Sequence, residues 1–72
     1  MTLNELKLNE TGHIINLNCT DGVKRRLLDL GLIKGTKITP IFVSPSGDPT
    51  AFEVRGSVIA IRVEDTSLID LA

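Results

Sequence analysis

The chain contains no tryptophan and no tyrosine, and its phenylalanines are Phe42 and Phe52 alone. A platform on which bases could stack is therefore missing. A surplus of positive charge is missing too: 8 Lys and Arg stand against 9 Asp and Glu, for a formal net charge of -1. Small domains that grip a phosphate backbone carry a basic excess, so nucleic acid is not an expected partner. No apolar stretch approaches the roughly 20 residues that a membrane span needs, and direct membrane insertion is not expected. The N-terminal MTLNELKLNE has no basic segment followed by an apolar one, unlike a secretory signal. Cys19 stands alone and can form no internal disulfide. That points to a reducing, cytoplasmic setting and to a small buried thiol.

Groups that could do covalent chemistry are equally sparse. His13 and Cys19 are the sole residues of their types. Six residues of extended chain between them span about 20 Å, too far for a nucleophile and its base. Glu64-Asp65 is the one adjacent carboxylate pair and suits a helix cap. The glycines at 31, 35 and 47 do not follow a phosphate-cradling spacing. The expectation is a chain without catalytic residues, without a cofactor and without a tight metal site.

What is present is an ordinary globular mixture, 42% hydrophobic and 24% charged, in 72 residues. That length is read as one domain, residues 1–72, with a small core. Leu3, Leu6 and Leu8 are apolar anchors, and Asn9 to Gly12 reads as a turn. The β-branched run His13–Leu17 predicts a strand whose alternation fails at Ile14-Ile15, through a bulge or burial on both faces. One helix is predicted over Asp21–Leu30, with Thr20 as N-cap, Val23, Leu27 and Leu30 as its apolar stripe, and Gly31 as its stop. Leu28 lies off that stripe, next to Leu32 beyond the stop. Lys24, Arg25 and Arg26 crowd the helix front, where its dipole disfavours cations, and Arg25 is placed to pair with Asp29. From these features an exposed or half-exposed patch of Leu28 and Leu32 beside the cations is expected, facing an anionic partner.

A turn at Lys34-Gly35 leads into a strand over Lys37–Val43, in which Pro40 demands an edge position or a bulge. Strands follow at Thr50–Arg55, at Ser57–Val63 with Ile59, Ile61 and Val63 as inner row, and at Leu68–Leu71 after a helical turn. Between the second and third strands lies VSPSGDPT, where Pro45, Gly47 and Pro49 fix backbone geometry and Asp48 is placed as a turn former. Such a stiff loop is either a strand connection or a shaped recognition element. Five short strands with one helix predict a mainly β fold, a small partly open barrel plugged by the helix, which removes exposed sheet edges.

Three linked pieces, RRLLDLGLIKG, SPSGDP and VRGSVIAIR, resemble the FeoA family of ferrous iron transport proteins over nearly the whole chain. The resemblance rests on Leu30-Gly31-Leu32 with the turn at Gly35, on the Pro45–Pro49 loop, and on Arg55-Gly56 leading to Ala60-Ile61-Arg62. Lys34 and Ser46 depart from the family's pattern, which favours proline and an apolar residue there; the first relaxes a turn, the second leaves the loop tip nothing greasy to insert. The resemblance implies an SH3-like barrel, similar to the C-terminal domain of iron-dependent repressors. It also implies a cytoplasmic, non-enzymatic accessory of FeoB, a membrane ferrous iron transporter with a GTPase domain. The alternative it leaves is a transition-metal-binding sensor or chaperone module. Under the first reading, Lys24, Arg25, Leu28, Leu32 and Asp48 are the candidate partner contacts, and Gly31, Gly35, Pro45, Gly47, Pro49 and Gly56 shape the scaffold.

Overall fold

A computed structural model describes all residues, 1–72. A single 3-10 turn, Leu3–Glu5, precedes β1 (Gly12–Leu17), α1 (Asp21–Asp29), β2 (Lys37–Val43), β3 (Thr50–Val54), β4 (Ser57–Ile61), α2 (Val63–Thr66) and β5 (Ile69–Leu71). The strands form one antiparallel sheet in the order β4-β3-β2-β1-β5. No helix is long and apolar enough to cross a membrane.

Two irregularities anticipated from sequence are bulges. The β1–β5 register shifts between Ile14 and Asn16. One extra residue there lets Ile14 and Leu17 both face inward while Ile15 and Asn16 face water. The β2–β3 register shifts between Pro40 and Phe42. β2 is a central strand, and the bulge is what lets it hold a buried proline; the Pro40 carbonyl accepts the Asn9 N–H at 2.7 Å.

The helix ends as its sequence asks. Gly31 takes φ +92, its N–H reaches the Leu28 carbonyl, and the Leu32 N–H reaches the Leu27 carbonyl at 3.0 Å. This is a Schellman motif, whose apolar closure sets the residue after the glycine against the last inward helical residue. Leu27 and Leu32 are accordingly both buried in the core with Leu3, Ile14, Ile38 and Ile69. Leu30 is not: at the C-cap it has turned off the stripe and is 45% exposed. The inner row of β4 likewise ends at Ile61. Val63 opens α2 and is 51% exposed, because Arg62 takes the N-cap position and redirects the chain.

The sheet does not close, and its two edges differ. Along β5 the N-terminus is laid as a cover: Thr2 bridges Asp70, and the Leu71 N–H donates to the Met1 carbonyl at 2.8 Å. β4 pairs with β3 alone. The expected removal of exposed edges is thus met on one side only.

Candidate functional site

The front of α1 presents the cations foreseen there. Lys24, Arg25 and Leu28, with Asp21, Gly22 and Asp29, line a shallow surface groove of about 630 Å³. Lys24 and Leu28 also border a smaller groove of about 190 Å³, with Ile15 and Leu17 and with Lys34 at its rim. Leu28 is 41% exposed and Ile15 45%, so this face combines exposed apolar side chains with free ammonium groups. Leu32 does not belong to it. Its side chain is fully buried by the Schellman closure, and the expected Leu28–Leu32 surface pair is corrected to Leu28 with Ile15.

Asp48 lies elsewhere and lines neither groove. Its Oδ1 accepts the Val63 N–H at 2.9 Å, so its turn-forming side chain bonds not its own loop but the first residue of α2. Around it Gly47 takes φ +91, Asp48-Pro49 is a cis peptide, and the Ser46 hydroxyl donates to the Asp48 carbonyl at 2.8 Å. The loop that begins at Pro45 is therefore tied to the far end of β4.

The expected Arg25–Asp29 pair does not form. The one ion pair is Arg26 with Asp65 at 2.7 Å, joining α1 to α2 across 39 residues. Asp65 is nearly covered while Arg26 remains open to solvent, which limits the net contribution of the pair. Sequence spacing offered no signal for it, because nothing local connects the two helices. Half-buried Cys19 sits near this pair. Burial, and then the Asp65 carboxylate, push its thiol up, so it stays protonated at neutral pH and makes a poor nucleophile or ligand.

A polar cleft of about 500 Å³ was also invisible from sequence; it lies between Thr11, Thr36, Lys37, Thr39, Glu53 and Arg55. The Thr11 and Thr39 hydroxyls meet at 2.8 Å, and Arg55 donates to Thr36 at 3.5 Å. No three of the His, Cys, Asp and Glu side chains come together to hold a metal ion, so the residues present do not fit a resident metal centre. The surface offers grooves lined by charged and polar side chains.

Residues 1–71 match the FeoA domain family. The chain belongs to the FeoA family. A candidate Fe(2+) transport protein A of Campylobacter jejuni is 34% identical over 71 residues, covering 99% of this chain and 96% of that protein. An Fe(2+) transport protein A/Fe(2+) transporter FeoB fusion protein of Porphyromonas gingivalis is 25% identical over 71 residues; the match takes in 99% of this chain and 8% of the fusion. The crystal structure of Stenotrophomonas maltophilia FeoA complexed with zinc, described as a prokaryotic SH3 domain protein, superposes with a TM-score of 0.83 at 28% identity, covering 100% of this chain and 89% of that one. The mainly β, SH3-like fold read from the sequence is the fold found. The family pieces occupy its joints: Leu30-Gly31-Leu32 is the Schellman closure, Pro45–Pro49 the strap to α2, and Arg55-Gly56 the two-residue turn between β3 and β4.

Proposed function

We propose that this chain is a single-domain, non-enzymatic accessory of ferrous iron uptake that docks on the cytoplasmic side of a FeoB-type transporter and modulates it. One observation carries the proposal: the Porphyromonas gingivalis relative joins a segment like this chain to FeoB in one polypeptide. Domains fused in one chain are held at high effective concentration, which supports association where they are separate. The docking face we assign is the front of α1, where Lys24, Arg25 and Leu28 face solvent beside Ile15. Asp48 serves the scaffold, through its bond to Val63.

Purified chain added to the detergent-solubilised FeoB-type transporter should comigrate with it on a sizing column and change its rate of GTP hydrolysis. Lys24→Glu and Leu28→Asp should each weaken binding about tenfold while leaving Tm unchanged, since exposed positions carry little stability. A wild-type chain that does not comigrate would refute the reading. The zinc complex of the Stenotrophomonas maltophilia FeoA favours a second reading, a transition-metal sensor or chaperone module. A ferrous iron titration separates the two, because a tight stoichiometric site belongs to the second alone.

A further inference from the structure

Ile38, Pro40 and Val54 are buried, so Lys37 and Thr39 of β2 and Glu53 of β3 stand on the outer face of the sheet. Thr39 pairs with Glu53 across the strands, and its hydroxyl meets that of Thr11, the residue before β1. Arg55 joins them from the β3–β4 turn. Its stem lies over Gly31, where an added Cβ would stand 3.6 Å from the Arg55 Cδ, and its guanidinium donates to the Thr36 hydroxyl at 3.5 Å. Thr36 is itself buried and fixed: its hydroxyl donates to the Gly31 carbonyl at 3.2 Å and accepts the Ile33 N–H at 3.3 Å. The helix stop and the turn thus hold one cation at the wall of the polar cleft of about 500 Å³.

This cleft has hydrogen-bonding capacity that the protein does not use. Lys37, Glu53 and Arg55 border one space, yet none of them is in an ion pair. The strand partner of Lys37 on β1 is His13, so no carboxylate neutralises it from that side. Thr36 takes one of the five guanidinium N–H groups of Arg55, and the Thr11–Thr39 bond takes one of two hydroxyl protons. No hydrophobic side chain lines the cleft. A protein segment would find no apolar anchor there, and nucleic acid would find neither aromatic platform nor basic excess in this chain. The volume is that of a small-molecule site.

We propose that the cleft binds a small metabolite with one oxyanion head and a hydroxyl-bearing body, the chemistry shared by sugar phosphates and hydroxy acids. Lys37 and Arg55 take the head through charge-assisted bonds, Arg55 with its planar fork. Glu53 accepts from a hydroxyl of the body, and Thr11 and Thr39 exchange bonds with another. Two cations against one carboxylate leave the cleft net positive, while Glu53 disfavours a ligand charged at both ends. The site lies apart from the α1 face and does not depend on the transporter reading.

The probes are glucose 6-phosphate, gluconate, glucose and inorganic phosphate, each titrated into the full chain at constant ionic strength and followed by amide NMR. Glucose 6-phosphate or gluconate should shift the Thr11, Thr36, Thr39 and Arg55 signals saturably and leave Lys24 and Arg25 unmoved; the tighter of the two identifies the head as phosphate or carboxylate. Glucose, which lacks the head, should give no saturable shift, and inorganic phosphate, which lacks the body, should bind more weakly. Lys37→Gln, at an exposed position that leaves the fold intact, and Arg55→Gln should each weaken binding about tenfold. Glu53→Ala should narrow the preference for the better hydroxylated probe over inorganic phosphate. Absence of saturable shifts with both hydroxylated anions, equal shifts on α1, inorganic phosphate binding as well as either (an adventitious ion only), or a Lys37→Gln chain that binds like wild type would each overturn the proposal.

Discussion

The two edges of the sheet solve the same problem in opposite ways. β5 is three residues long and is covered by the chain's own start, which bonds it at Met1 and Thr2 and then drives Leu3 into the core. β4 is five residues long, apolar, and left open. The difference teaches that coverage and stability are coupled on one side and separate on the other. Uncovering β5 also withdraws Leu3 from the core, whereas altering the outward groups of β4 touches only water.

The sharpest way to break the comparison is therefore at Leu3. It is 1% exposed, and Leu3→Ala should cost about 3 kcal/mol or more, a large share of what so small a core supplies. Urea unfolding should show that loss. The two-residue Arg55-Gly56 turn makes Val54 and Ser57 a bonded pair, and bonding alternates from there, so the Ala60 N–H points away from β3. Ala60→Pro, whose lost N–H had no partner, should fall within about 1 kcal/mol of wild type. Equal costs at the two positions would show that the edges are not different in kind.

How far the sequence disclosed these edges follows from the range of the forces involved. Local periodicity and turn chemistry placed the helix, its glycine stop, the bulged Pro40 and the Arg55-Gly56 turn, since each is settled within a few residues. Leu32 was misplaced because surface patterning along α1 was carried past Gly31, where the Schellman closure reverses the chain. Leu30 and Val63 were misplaced for a related reason: both sit at helix ends, where the periodic pattern no longer describes side-chain direction. The N-terminal cover of β5, the Arg26–Asp65 pair and the Asp48–Val63 bond join residues far apart in the chain, and no local pattern encodes them.

A smaller effect concerns the strap at the far end of β4. Asp48→Ala leaves the Val63 N–H without its acceptor and should cost about 1 kcal/mol, read as a lower Tm. Gly47→Ala should cost a similar amount purely through backbone conformation, because φ is +91 and nothing lies within 4 Å of the added carbon. Both should speed hydrogen exchange in α2 while leaving exchange at the β5 cover unchanged. Loss of transporter binding by Asp48→Ala with no change in Tm would instead make Asp48 a contact residue.

The smallest effect is also the most selective for the covered edge. The exposed Glu5 carboxylate accepts the Thr2 N–H at 2.8 Å and the Thr2 hydroxyl at 2.9 Å, fastening the residue that bridges to Asp70. These bonds, the backbone one foremost, hold its pKa below the ordinary 4.5. They favour the ionised form, so the folded chain binds this proton less readily than the unfolded chain does. The stabilisation is then fully present above the ordinary carboxylate value and is lost as pH falls through the depressed one. Glu5→Ala should lower Tm slightly at pH 7, and the gap to wild type should close on acidification well below about pH 4. Over the same range exchange should quicken at Thr2 and Leu71 and remain steady at Val58 and Ala60. A gap that is constant with pH, or that widens in acid, would show that the Glu5 carboxylate does not fasten the cover.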